Sequence, residues 1–172
     1  EDDRLLRHQH RAVSLVSRTA IIVGVISDTH GLLRPEATEA LKGSDLIVHA
    51  GDVGGAQILE QLRAIAPTFA VRGNVDTGEW AKALPMTDVV EVGQLQLYVL
   101  HDVAALDLDP TTAGFAAVIY GHSHRPDAEI RHGVLFLNPG SAGPRRFTLP
   151  IAVAKLRVVG DQLSHEMIEL RP

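Results

Sequence analysis

The 172-residue chain is 45% hydrophobic, carries a formal net charge of −5 with histidine neutral, and contains no cysteine. That length supports one core rather than two. The absence of cysteine excludes disulfides and thiolate-held zinc or iron–sulfur sites, so any metal must be held by nitrogen and oxygen. Lys and Arg are scattered, so the footprint of a general nucleic-acid binder is missing. No apolar run approaches the ~20 residues needed to cross a bilayer, and the expectation is a cytoplasmic protein. The sequence leaves a homo-oligomer open.

Residues 1–19 read as an N-terminal extension, trimmed or appended, with a weak helical pattern in Leu5, Leu6, Val13 and Val16. A single domain is expected over residues 20–172. It begins with "AIIVGVIS", a nearly continuous β-branched run of the kind buried on both faces of a sheet, which stops at "DTHG". "RPEATEALKG" follows as a helix, with Pro35 in its first turn and Gly43 as its stop. "DLIVHAGD" reads as a second buried strand, "GAQILEQLRAIA" as a helix with Ile58, Leu59, Leu62 and Ile65 on one side, and "TFAVRGN" as a third strand. This rhythm signals parallel βαβ units.

"DVVEVGQLQLYVLHD" alternates around Gly93 and predicts a hairpin, and "GFAAVIYGHSHRP" carries another strand into a turn. Short strands follow in "AEIRHGVLFLNPGS" and in "IAVAKLRVVGDQLSHEMIEL", the latter around a Gly-Asp turn. The elements imply an α/β fold: one mixed sheet, or two sheets packed face to face, with helices outside.

Five of these strands end in polar groups: Asp28 and His30, Asp52, Asn74, His101, and His122 with His124. Ligand sites of open α/β sheets form outside the carboxyl ends of strands, so distant segments can deliver these groups to one rim. In "SDTH" and "GHSH" the residues stand two apart, which in extended chain points both side chains the same way. Two carboxylates, four imidazoles and an amide exceed the needs of one divalent ion and suit two, with Asp52 shared between them. Taken singly, each motif is ordinary turn chemistry. His8, His10, His132, His165 and His49 are assigned as hydrogen-bonded surface groups.

The ordered set "SDTHG", "AGDV", "RGNVD", the His101 turn, "YGHSHRP" and "NPGS" resembles the calcineurin-like metallophosphoesterases, in particular their small single-domain bacterial and archaeal phosphodiesterase branch. The resemblance spans roughly residues 21–160 and implies a four-layer α/β/β/α sandwich of two mixed sheets flanked by helices. By the same resemblance Asp28, His30, Asp52 and His124 hold one ion, and Asp52, Asn74, His101 and His122 a second. Asp52, Asn74 and His122 would act in catalysis. Manganese is the expected metal; iron, nickel, zinc and magnesium also suit the donor types.

The implied reaction is attack on a phosphoryl group by hydroxide generated between two ions, on a small phosphorylated substrate, most readily a nucleotide-like phosphodiester. Phosphomonoester hydrolysis is an alternative. So is a non-catalytic, protein-binding scaffold like the small subunit of the retromer sorting complex. "NPGS" is expected to shape the site wall, and Arg72, Arg125, Arg145 and Arg146 to lie near its rim. The chain departs from the family pattern twice. Asp102 stands where glycine usually follows the His101 position, and Val75 stands where many members of the wider superfamily carry a histidine. Val75 is either packing beneath its turn or a sign that good leaving groups are used, because valine cannot donate a proton.

Overall fold

The computed structural model describes residues 19–172, so the N-terminal extension, apart from Thr19, lies outside the described residues. Strand β1 (Ile21–Ile26) sends Val23 and Val25 into the centre of the molecule, both without solvent exposure. Helix α1 (Pro35–Leu41) crosses over to β2 (Leu46–His49), and α2 (Ala56–Arg63) to β3 (Thr68–Ala70). The three strands pair in parallel, as the alternation of strand and helix requires. A closing hairpin of β9 (Ala152–Val159) and β10 (Gln162–Glu169) adds antiparallel to β1, giving the order β10-β9-β1-β2-β3.

The middle of the chain builds the second sheet. β4 (Thr87–Val92) and β5 (Leu95–Leu100) form the hairpin expected around Gly93. β6 (Ala117–Ile119) lies parallel to β5 and to β8 (Val134–Asn138), and β7 (Asp127–Arg131) closes the edge in the order β4-β5-β6-β8-β7. The two sheets pack face to face. Val23, Val25, Val48 and Leu156 of the first meet Val90, Leu97, Ile119 and Leu137 of the second in one buried cluster. Leu41, Ile58, Leu59 and Leu62 cover the outer face of the first sheet through Ile26, Ile47 and Val153.

The outer face of the second sheet has a thinner cover. Tyr98, Val118 and Phe136 are packed by Val103, Leu106, Leu108 and Phe115, from a segment holding a single 3₁₀ turn (Val103–Ala105) and the four-residue helix α3 (Pro110–Ala113). Neither turn is legible as a helix in the sequence, because both are too short to show a period. Each instead starts at an aspartate cap, with Asp102 accepting from the Ala104 N–H and Asp109 from the Thr111 N–H. The layers are thus α/β/β/α, and the parallel strands of both sheets end at the same edge of the molecule. Among the described residues, no helix is long and apolar enough to cross a membrane.

Candidate metal centre

All seven strand-end residues meet at that edge, in two adjoining groups. In the first, Nε2 of His124 lies 3.3 Å from Asp28 Oδ1, Nε2 of His30 lies 3.7 Å from the same oxygen, and the two ring nitrogens are 3.3 Å apart. In the second, Nε2 of His101 lies 3.1 Å from Asp52 Oδ2 and 3.0 Å from Asn74 Oδ1, with His122 Nδ1 3.2 Å from that amide oxygen. Asp52 stands between the groups, since its Oδ2 is also 3.8 Å from His30 Nε2. Asp28, Asp52, His101 and His124 are buried, whereas Asn74 and His122 face the open side.

The backbone carries unusual geometry here. Asp28, His30, Asp52, His122 and His124 all have φ between 46° and 71°, in the left-handed region that non-glycine residues seldom occupy. Each such residue costs on the order of 1–3 kcal/mol and persists only where its surroundings fix it. A main-chain ladder that continues past the strands supplies part of the fixing. The N–H groups of Asp28, His30 and Gly31 donate to the carbonyls of Gly51, Asp52 and Val53 at 3.0, 3.0 and 2.9 Å. The turns also lie too close for side chains. A Cβ at Gly73 would come within 2.1 Å of Asp52 Oδ1, and one at Gly121 within 2.6 Å of Asp28 Oδ2.

Asp76 completes the fixing and was not among the expected site residues. Its buried carboxylate accepts from the N–H groups of Val53, Gly54 and Gly73, at 3.1, 3.0 and 2.9 Å, tying the turn that bears Asp52 to the turn that bears Asn74. The available signal was the aspartate in "GNVD", where a side chain can reach backbone donors of its own turn. Asp52 is itself aimed by a main-chain contact, because the Val75 N–H donates to its Oδ1 at 3.0 Å. The Val75 side chain is 48% exposed, so it does not pack beneath the turn. Its position calls for an amide hydrogen, which any residue but proline supplies.

His49 corrects a second expectation, that of a surface group. It is fully buried, because β2 is flanked by β1 and β3 and the ring points under the site. Its Nδ1 accepts from the Gly51 N–H at 3.1 Å, and its Nε2 lies 2.9 Å from Thr29 Oγ1. Since that hydroxyl donates to the Val53 carbonyl, the ring is a neutral Nε2–H tautomer that supports both turns. Burial pushes its pKa down to about 4, against the opposing pull of Asp28 and Asp76. His132 and His165 are exposed as expected, and His8 and His10 lie outside the described residues.

The remaining expected residues sort by position. Ser141 of "NPGS" donates its hydroxyl to the Asp28 carbonyl and Asn138 donates its amide to the Gly121 carbonyl, so this segment buttresses both halves of the first group. Arg125, Arg145 and Arg146 are exposed, while Arg72 is half-buried. Asp102 lies with its Oδ2 3.9 Å from His122 Nε2, the ring nitrogen facing away from the centre. At that separation, with both side chains nearly half exposed, the contact is a long-range electrostatic one rather than a hydrogen bond.

The electrostatics decide what the centre accommodates. His101 Nδ1 lies 2.7 Å from the Ala50 carbonyl, an acceptor, and must therefore carry a proton. In the neutral ring Nε2 is then a bare lone pair, yet it faces the oxygens of Asn74 and Asp52. Only a cation or a proton satisfies all three. The same demand shows in the first group, where Asp28 Oδ1 is buried without a hydrogen-bond partner among the described residues. Burial raises the Asp28 pKa, but His124, His30 and Ser27 outweigh it and hold the carboxyl far below its ordinary value. For Asp52 burial is likewise outweighed, by His101 and the Val75 N–H, and its pKa is lowered. The His30 imidazole is raised chiefly by its contact with Asp28; that of His101 is lowered by burial but raised further by Asp52 and Asp28. Two groups of oxygen and nitrogen donors around shared negative charge suit divalent cations.

Sandwich and site together have the architecture of a metallophosphoesterase. The calcineurin-like phosphoesterase superfamily domain matches residues 21–161, and the chain belongs to that superfamily, which places it among the hydrolases acting on phosphoric ester bonds. A probable metallophosphoesterase of Methanothermobacter thermautotrophicus is 33% identical over 160 residues, covering 86% of this chain and 92% of the relative. A phosphodiesterase of Methanocaldococcus jannaschii is 26% identical over 137 residues, covering 69% and 82%. The fold is also that of vacuolar protein sorting 29 from Cryptosporidium parvum, with a TM-score of 0.76 at 20% identity, over 88% of this chain and 92% of that one.

Replacing Asp76 by alanine leaves three backbone donors without their carboxylate, and hydrogen bonds to a charged group contribute roughly 1.5–3 kcal/mol each. Asp76→Ala should therefore lose at least about 3 kcal/mol in denaturant unfolding, and Asp76→Asn less. A loss under about 1 kcal/mol would show that the clamp is dispensable. For His49 the folded pKa lies below the ordinary value of 6.5, so its contribution is complete above pH 6.5 and is lost as pH falls from there to about 4. In metal-stripped protein the wild type should lose about 3 kcal/mol more than His49→Asn over that window. Equal losses would mean that His49 takes up its proton in the folded state as readily as in the unfolded chain.

Proposed function

We propose that the protein is a metal-dependent phosphodiesterase acting on small or nucleotide-like phosphodiesters in the cytoplasm. The observation that carries this reading is the convergence of His101 Nε2 with Asn74 Oδ1 at 3.0 Å and Asp52 Oδ2 at 3.1 Å, while Nδ1 is committed to the Ala50 carbonyl, a gap that a cation fills. In this reading Asp28, His30, Asp52 and His124 hold one divalent ion, and Asp52, Asn74, His101 and His122 the other, with manganese the first choice. Such ions acidify bound water and neutralise charge building on a phosphoryl group in flight.

The side chains divide the remaining work. Asn74 ligates through its carbonyl oxygen without adding negative charge, which leaves its amide N–H groups free to bind a phosphoryl oxygen at the open side. His122 stands beside it, with Nδ1 3.2 Å from the Asn74 amide oxygen, and the Val75 N–H holds Asp52 between the two groups. No proton donor stands at Val75, so departure of the leaving group is unassisted there. That favours acidic leaving groups, such as aryl and nucleotide phosphates, over simple alkyl monoesters. The phosphodiesterase named among the relatives supports the diester choice. The fold shared with vacuolar protein sorting 29 admits a binding scaffold instead, but all seven donor residues are present and converge here, which favours hydrolysis.

The test is hydrolysis of bis(p-nitrophenyl) phosphate beside p-nitrophenyl phosphate, by metal-stripped protein refilled with manganese. Diester cleavage should depend on manganese, exceed monoester cleavage, and fall by at least about 10³-fold in Asp52→Asn, since a metal centre supplies several kcal/mol of charge stabilisation. Bound manganese with no turnover of either ester would contradict the proposal and favour the scaffold.

A further inference from the structure

A cavity of about 300 Å³ opens directly beside the second donor group. Asn74, His101 and His122 form one wall, and Met86, Leu100 and Ala105 form the apolar remainder. This volume lies at the small end of ligand pockets and matches one or two rings rather than an extended chain. Met86 is 59% exposed, so its side chain is accessible to a ligand in this cavity. Arg72 lines the same cavity, and its Nε is buried without a hydrogen-bond partner among the described residues.

We infer that this cavity binds a flat, uncharged aromatic substituent of the phosphoester, an aryl ring or nucleobase, against Met86 and Arg72. The inference rests on the phosphoesterase reading and assigns the place where an aromatic substituent of its substrate lies. Three observations select the ligand. A thioether and a planar guanidinium both pack well on ring faces, by sulfur–aromatic contact and by stacking. The Asp102 carboxylate lines the cavity as well, and it disfavours a second anionic group such as a further phosphate. With Arg72 it also offers a donor and an acceptor at the edge, which a nucleobase can use and an alkyl chain cannot. The cavity touches Asn74 and His122, so a ring lodged in it leaves the ester phosphorus beside the proposed metal ligands.

The chain has two methionines, Met86 at this cavity and Met167 on β10, which makes them a reporter and an internal control. Protein labelled with ¹³C at the methionine methyls and loaded with diamagnetic zinc would be titrated with phenylphosphonate and, separately, methylphosphonate. Phenylphosphonate should shift the Met86 methyl upfield by ring current and leave Met167 unmoved, and it should bind at least about tenfold more tightly than methylphosphonate. Arg72→Ala, and Ala105→Phe, which fills the cavity, should each remove that preference. Equal affinities with an unmoved Met86 would overturn the inference, and manganese-dependent diester hydrolysis by the same protein would then show that the phosphoesterase reading survives it. Absence of both hydrolysis and phosphonate binding would overturn the two together.

Discussion

The structure depends on holding five polar residues in left-handed backbone conformations at the ends of parallel strands. Asp28, His30, Asp52, His122 and His124 each occupy a region that L side chains avoid, and together they cost several kcal/mol by the usual magnitude. The strain turns these side chains off the line of their strands, so that Asp28 and His30 reach the first group together, while His122 and His124, also two apart, serve different groups. It is tolerated because the surrounding main chain is over-determined. The β1–β2 ladder continues past its strands through Asp28, His30 and Gly31, Asp76 ties three amides together, and the neutral His49 ring supports the same turns from below. The interior packing of two sheets, with Val25 and Leu97 at its centre, gives those turns a rigid base.

What the strain achieves is a concentration of lone pairs. In most buried polar clusters donors and acceptors alternate, whereas here imidazole nitrogens face carboxylate and amide oxygens across about 3 Å. Without a cation, protons must stand in the gaps, and this is why His30 and His101 hold theirs more tightly than an ordinary imidazole while Asp28 and Asp52 stay ionised. A divalent cation satisfies the same demand with more charge and more bonds. The pKa directions and the proposed metal centre are therefore two consequences of one arrangement.

Much of this was legible in the sequence, and what was missed has physical reasons. β-Branched runs such as "AIIVGVIS" and the Gly93 hairpin show themselves through hydrophobic pattern, which is the same force that buries them. The order of Asp, His and Asn at successive strand ends marked all seven converging residues. His49 was misplaced because a histidine at a strand end reads alike whether it faces solvent or the interior; only the position of β2 between β1 and β3 decides it. Asp76 bonds to backbone, which has no signature in side-chain spacing. The two short turns covering β5 and β6 are held by aspartate caps and by packing from Leu106 and Phe115, and they have too few residues to show a period. Val75 was judged by its side chain, although its amide hydrogen is what touches Asp52.

The central claim is that the strained strand ends hold two ions around Asp52. The most direct measurement is anomalous diffraction at the manganese edge from crystals grown with manganese. The account predicts two peaks, one among Asp28, His30 and His124, the other among Asn74, His101 and His122, with Asp52 touching both. A single peak, or two that leave Asp52 uncoordinated, would contradict it.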